Sequence, residues 1–124
     1  MVRGMLSCRS SFWWLCSPPA ACEAAGQATR KLSGAQIRAK FTGMQLTDEV
    51  HWRDVYERDG TLRSYSMGRK LRGKWGVEAD DLCLDLPEPD GGCYEVATSA
   101  RGIVLTPRGP GLQLEGVLQP ISDP

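Results

Sequence analysis

Asp81-Leu82-Cys83-Leu84-Asp85-Leu86, followed by Pro87-Glu88-Pro89-Asp90-Gly91-Gly92 and Cys93-Tyr94-Glu95-Val96, is the stretch on which the fold turns. Its two outer segments alternate apolar and polar residues, the period of a pleated strand with one dry face. The Pro/Gly-rich centre breaks both runs and reads as the turn of an antiparallel hairpin. If Cys83 lies opposite Cys93, Leu82 faces Tyr94 and Leu84 faces Gly92. The large apolar groups then share one side and both sulfurs the other. Opposed residues at a non-hydrogen-bonded antiparallel pair approach to about 4.5 Å between Cα atoms, within reach of a disulfide. The expectation is a Cys83–Cys93 bridge. It would stabilise by roughly 3 kcal/mol on the chain-entropy estimate and persist only outside a reducing compartment. The alternative is two unrelated thiols. A zinc site would need two further close ligands at metal spacing, which the pair lacks.

The same alternation extends to both sides. Leu71, Gly73, Trp75 and Val77 interleave with Lys70, Arg72, Lys74 and Glu78, and Leu112, Leu114 and Leu118 with Gln113, Glu115 and Gln119. Strands are expected at Met44 to Thr47, Val50 to Tyr56, Thr61 to Met67, Lys70 to Val77, Leu82 to Leu86, Cys93 to Thr98, Ile103 to Thr106 and Leu112 to Leu118. Asp59-Gly60 marks a tight connection, because glycine accepts positive φ. Two registers are open there: a two-residue loop sets Tyr56 against Arg63 and Asp54 against Tyr65, while a three-residue loop with a bulge sets Tyr56 against Leu62 and Asp54 against Ser64. The second is favoured because it buries Leu62 with Tyr56.

A short helix precedes the strands. Ser33 is its N-cap, Gln36 the capping-box partner, and Leu32 with Ile37 a hydrophobic staple, with Gly43 as the stop. Such a helix is too short to stand alone and must pack Leu32, Ile37 and Phe41 on a sheet. The fold class expected is therefore mainly β: a curled antiparallel meander of about seven or eight short strands, barrel-like, with one short N-terminal helix.

A chain of 124 residues supports one domain, placed at residues 30–120. Lys plus Arg number 15 and Asp plus Glu 15, so no global field attracts nucleic acid or an anionic membrane. Arg69, Lys70, Arg72 and Lys74 read as a solvated face. Residues 1–29 differ in composition: Arg3 and Arg9, then Phe12-Trp13-Trp14-Leu15-Cys16, then Pro18-Pro19 and small residues. That order is signal-like, with Gly26-Gln27-Ala28 the best cleavage candidate, and a disordered tail or a misplaced start is the other reading. A lipid anchor at Cys22 lacks the usual upstream Leu. No run reaches membrane-spanning length, so no transmembrane segment is expected.

Taken in order, Leu32-Ser33-Gly34-Ala35-Gln36-Ile37, Gly43, Asp59-Gly60-Thr61, Gly73-Lys74-Trp75-Gly76-Val77, Leu82-Cys83 and Cys93-Tyr94-Glu95-Val96 resemble a group of small exported, uncharacterised β-rich proteins of proteobacteria, many of them alphaproteobacterial. The resemblance spans Leu32 to about Leu118. It implies export and a small β domain, and it supplies no catalytic residues.

Chemistry-bearing residues are few. His51 is the only histidine; on a strand it would share a face with Glu57 while Asp54 pointed away, so the three do not converge on a metal. No Gly-x-Ser-x-Gly elbow is present. Asp54 lies between Trp52 and Tyr56 on the face expected to turn inward, where a carboxylate needs a partner or a raised pKa. Trp75 on its Gly-flanked strand is a core candidate. Trp52, Asp54, Tyr56 and Trp75 are thus the candidate ligand-binding residues, with no catalytic residue, cofactor or metal expected. Three readings stand. One is a non-enzymatic binding or interaction module of the cell envelope, periplasmic or secreted, acting on a small ligand or envelope protein through the sheet's mouth or a strand edge. The others are a small hydrolase or ligand-modifying enzyme with an acid near Asp54, and a structural envelope lipoprotein tethered through Cys22. Peptide mapping without reductant is expected to recover Cys83 and Cys93 in one linked pair; alkylation of both would contradict the bridge.

Overall fold

Alternation along the chain is realised as a closed barrel. The computed structural model describes residues 29–122. Their elements are β1 (Arg30–Lys31), α1 (Gly34–Phe41), β2 (Met44–Thr47), β3 (Trp52–Tyr56), β4 (Thr61–Ser66), β5 (Arg69–Glu78), β6 (Asp81–Asp85), β7 (Gly92–Ser99), β8 (Gly102–Pro107) and β9 (Leu114–Pro120). Strands β2 to β9 pair antiparallel in chain order, and β9 returns to β2 to close eight strands into a ring. β1 adds two residues alongside β7, and the Leu32 amide donates to the Val96 carbonyl at 2.8 Å. The expected meander is therefore present. Its signal-like leader and the Cys22 anchor site lie outside the described residues.

Registers follow from which side chains must be dry. Tyr56 lies opposite Leu62 and Asp54 opposite Ser64, the register that buries Leu62 with Tyr56; both are fully buried. The connection is the three-residue loop Arg58-Asp59-Gly60, with the Glu57 amide donating to the Thr61 carbonyl and Gly60 at φ 94°. Cys83 pairs with Cys93, Leu82 with Tyr94 and Leu84 with Gly92, and the two sulfurs are bonded on the barrel's outer surface. Arg69, Lys70, Arg72 and Lys74 are exposed, as expected of a solvated face.

Two strands, β3 and β9, start two residues later than expected. Val50 and His51 are not in β3, because the Asp48 carboxylate accepts the amides of Val50, His51 and Trp52 and holds them in a turn. Leu112 precedes β9 and is 86% exposed. Pro110-Gly111, with Gly111 at φ 139°, keeps that segment in the connection.

The helix stoppers one end of the ring. Ser33 Oγ accepts the Gln36 amide while Gln36 Oε1 accepts the Ser33 amide, completing the capping box. The Gly34 amide donates to Asp80 Oδ1 at 2.7 Å, tying the helix start to the β5–β6 turn. A Cβ at Gly34 would collide with the Ala79 carbonyl, so the helix can sit this low only with glycine there. Ile37 and Phe41 are wholly buried with Leu46, Leu62, Leu82 and Val96. Phe41 meets Tyr56 edge-on at 5.0 Å between ring centres, and Tyr56 meets Trp75 at 5.5 Å.

Phe41→Ala is expected to cost about 3–5 kcal/mol in chemical denaturation, since it opens a void beneath the helix. Arg38→Ala, on the exposed helix face, is expected to change stability by less than about 0.5 kcal/mol. Equal effects would show that the helix does not plug the barrel.

Candidate functional site

At the end opposite the helix the ring is bounded by four connections: 48–51, 67–68, 86–91 and 108–113. Here the inward faces of the strands present a polar centre among apolar walls. Alternation along β3 sends Trp52, Asp54 and Tyr56 inward together. Pairing places Leu46 on one side of Asp54 and Ser64 on the other. Across the ring, Tyr94 turns inward from β7, opposite Leu82, and is half-buried.

Asp54 is 8% exposed. The Ser64 hydroxyl donates to its Oδ1 at 2.6 Å. Burial raises the Asp54 pKa, the Ser64 hydrogen bond opposes that rise, and the negative charge of Asp90 adds to it, so the carboxyl moves from its ordinary 3.8 to about 6. Two carboxylates thus share this end of the barrel. Asp90 has a cation, Arg69 Nη2 at 3.4 Å. Asp54 has none among the described residues: Lys31 pairs with Glu95, Arg63 with Glu57, and Arg108 with Asp81.

Tyr56 supplies a second unfinished contact. Its ring is fully buried and its hydroxyl has no hydrogen-bond partner among the described residues. Burial, and then the neighbouring Asp54 charge and Tyr94 hydroxyl, push its pKa well above the usual phenol value, so it stays a neutral donor and acceptor. Tyr94 is shifted up in the same way by burial, Asp54 and Asp90. An unpaired hydroxyl and an uncompensated carboxylate each cost the fold about 1–3 kcal/mol or more in the interior. Such costs persist where something else satisfies the groups.

Of the sequence-derived candidates, Asp54 and Tyr56 come together in this centre. Trp52 is half-buried on the same face, with its ring over Gly116 of β9; a Cβ there would lie 3.2 Å from the indole. Trp75 sits deeper, edge-on to Tyr56, with its indole N–H donating to the Glu57 carbonyl at 2.9 Å. It belongs to the layer beneath the helix. Ser64, Tyr94 and Asp90 were not singled out from sequence. The favoured hairpin register already carried the signal for Ser64, while Tyr94 and Asp90 converge only through closure.

Other groupings carry less chemistry. His51 is exposed, with Nδ1 2.9 Å from Asp48 Oδ2, far from the strand face on which a triad with Asp54 would need it. Glu78, Cys83 and Cys93 place ligand atoms within 4.8 Å of one another, but the sulfurs are bonded together and offer no thiolate. A groove of about 610 Å³ runs between the β2–β3 and β4–β5 connections, floored by Gln45 and by Arg53 stacked 4.4 Å over the Tyr65 ring, and it reaches Trp52 and Ser66 at the barrel rim. Its lips carry Val50 and Met67, 78% and 74% exposed. Its polar floor is internally satisfied: Arg53 donates to Gln45 and to the Ser122 carbonyl, and Gln45 to Gln119. Among the described residues no helix is long and apolar enough to cross a membrane.

No protein-family model matches this chain, and neither a curated protein nor a solved structure matches it.

Because the folded pKa of Asp54 lies above its ordinary value, its contribution is most favourable below pH 3.8 and is lost as pH rises through about 6. Wild-type stability is therefore expected to fall by up to about 3 kcal/mol from this group across that window. Asp54→Asn is expected to remove that fall and to match or exceed wild type at neutral pH. Parallel stability–pH curves for the two proteins would contradict it.

Proposed function

We propose that this protein is a non-enzymatic binding module of the cell envelope whose open barrel end receives a small ligand, with Asp54 as the polar anchor. One observation carries the reading: a nearly buried carboxylate faces inward with a single hydroxyl partner and no described cation. The unpartnered Tyr56 hydroxyl beside it adds weight. Ligand pockets are commonly apolar concavities with a few convergent polar groups, and small closed barrels hold theirs inside.

The hydrolase reading has less support. Asp54 is the one base beside the Ser64 hydroxyl, and the one histidine is engaged with Asp48 at the surface, so no histidine relay is assembled around that pair. Recruitment of a partner by strand addition is disfavoured because every strand of the ring has two neighbours. The Cys83–Cys93 bridge supports an oxidising, extracytoplasmic setting. Export, and kinship with the small alphaproteobacterial β-rich proteins, belong to the same proposal.

Chemical-shift mapping of a small-molecule library on the labelled protein tests the site. Perturbations are expected to cluster on Asp54, Ser64, Leu71 and Tyr94. Clustering on the outer groove, or at the helix end, would place binding elsewhere and overturn the reading.

A further inference from the structure

We propose that the ligand of the barrel mouth is an organic ammonium ion, a primary amine on a small apolar body, with the Asp54 carboxylate as its counter-ion. This rests on the mouth being the binding site and adds the charge and shape of what enters it.

Charge is the first argument. Asp54 and Asp90 both act on this end of the barrel, and one described cation, Arg69, offsets one of them. Arg108, from the neighbouring 108–113 connection, turns outward to grip Asp81 through two bonds of 3.0 and 2.7 Å. Lys70 lies on the outward-facing side of β5 and is exposed. The interior is therefore short of one positive charge, and an anion entering would meet two carboxylates.

Hydrogen-bonding capacity is the second. Ser64 occupies Oδ1 of Asp54, which leaves Oδ2 as an acceptor, and the Tyr56 hydroxyl oxygen is a second acceptor with no partner among the described residues. A primary ammonium carries three donors and no acceptor. It can serve the carboxylate and a neighbouring hydroxyl together, whereas an alcohol brings one donor. An inorganic cation fits less well: calcium takes six to eight oxygens and magnesium a near-ideal octahedron. The mouth offers one free carboxylate among leucines and aromatic rings. Tyr94 and Trp52 add negative ring faces that attract a cation, and Leu71, Leu86 and Leu114 provide half-buried apolar wall for an alkyl body.

The probes are three near-isosteres, n-butylammonium, n-butanol and n-butyrate, titrated into the labelled full chain near neutral pH and followed at the Leu114 methyls and Tyr94 ring. The expected result is saturable binding of butylammonium at least about tenfold tighter than butanol, with butyrate weaker still. In Asp54→Asn the preference for the ammonium over the alcohol is expected to vanish. If butanol binds wild type as tightly as butylammonium, or if Asp54→Asn keeps the preference, the ammonium assignment is overturned while the mouth remains a site. If none of the three moves the mouth resonances, the assignment falls together with the binding reading beneath it. The wild-type series stands by itself should the variant fold poorly.

Discussion

Everything inside this molecule depends on the pairing of β2 with β9. Met44 to Thr47 meet Pro120 to Val117 in antiparallel register, with Leu46 opposite Leu118. Without that seam the strands form an open sheet with two bare edges and one wet face. With it, each inward side chain is surrounded, and the helix has a rim to close. The seam joins residues about seventy positions apart, so its loop-closure cost must be met before the pairing rewards it. The Cys83–Cys93 bridge clamps the hairpin on the other side of the ring and removes part of that entropy from the unfolded chain.

Closure also makes Asp54 costly. On an open sheet its carboxylate would be wetted from one side. Inside the ring it faces Leu46, Ser64 and the Tyr56 ring, and water is largely excluded. The two ends of the barrel thereby acquire different chemistry from the same alternating pattern. Beneath the helix, Phe41, Tyr56 and Trp75 interlock in edge-to-face pairs with Leu62 and Leu82. Toward the end away from the helix the inward positions include Asp54, Ser64, Ser66 and Tyr94, residues a sealed core would seldom choose. A fold that carries a rule violation of this kind commonly does so at its working site.

Much of this architecture is legible in the chain because its signals are local. The capping box at Ser33 and Gln36, the alternation through Leu71 to Val77, and the face-sharing of Leu82 with Tyr94 each need only a few residues to be recognised. The Asp59-Gly60 register could be chosen because a slip would leave Leu62 wet while Tyr56 was buried. Its consequence, Ser64 beside Asp54, was implicit in that choice. What was not legible is non-local. Nothing near Leu46 announces Leu118, and nothing near Asp54 announces Asp90 or Tyr94, since these meet only when the ring shuts. Alternation alone extends β9 back to Leu112, and Pro110 and Gly111 override it. Val50 was drawn into β3 because the reach of the Asp48 carboxylate over three amides is a matter of loop geometry.

The most direct measurement is the pH titration of the Asp54 side-chain carbon by carbon-13 NMR in the oxidised protein. A closed barrel holding this carboxylate without a cation predicts a midpoint near 6, well above the ordinary 3.8. A midpoint at or below the ordinary value would mean that the carboxylate is wetted or salt-bridged, and neither the enclosed interior nor its missing positive charge would stand.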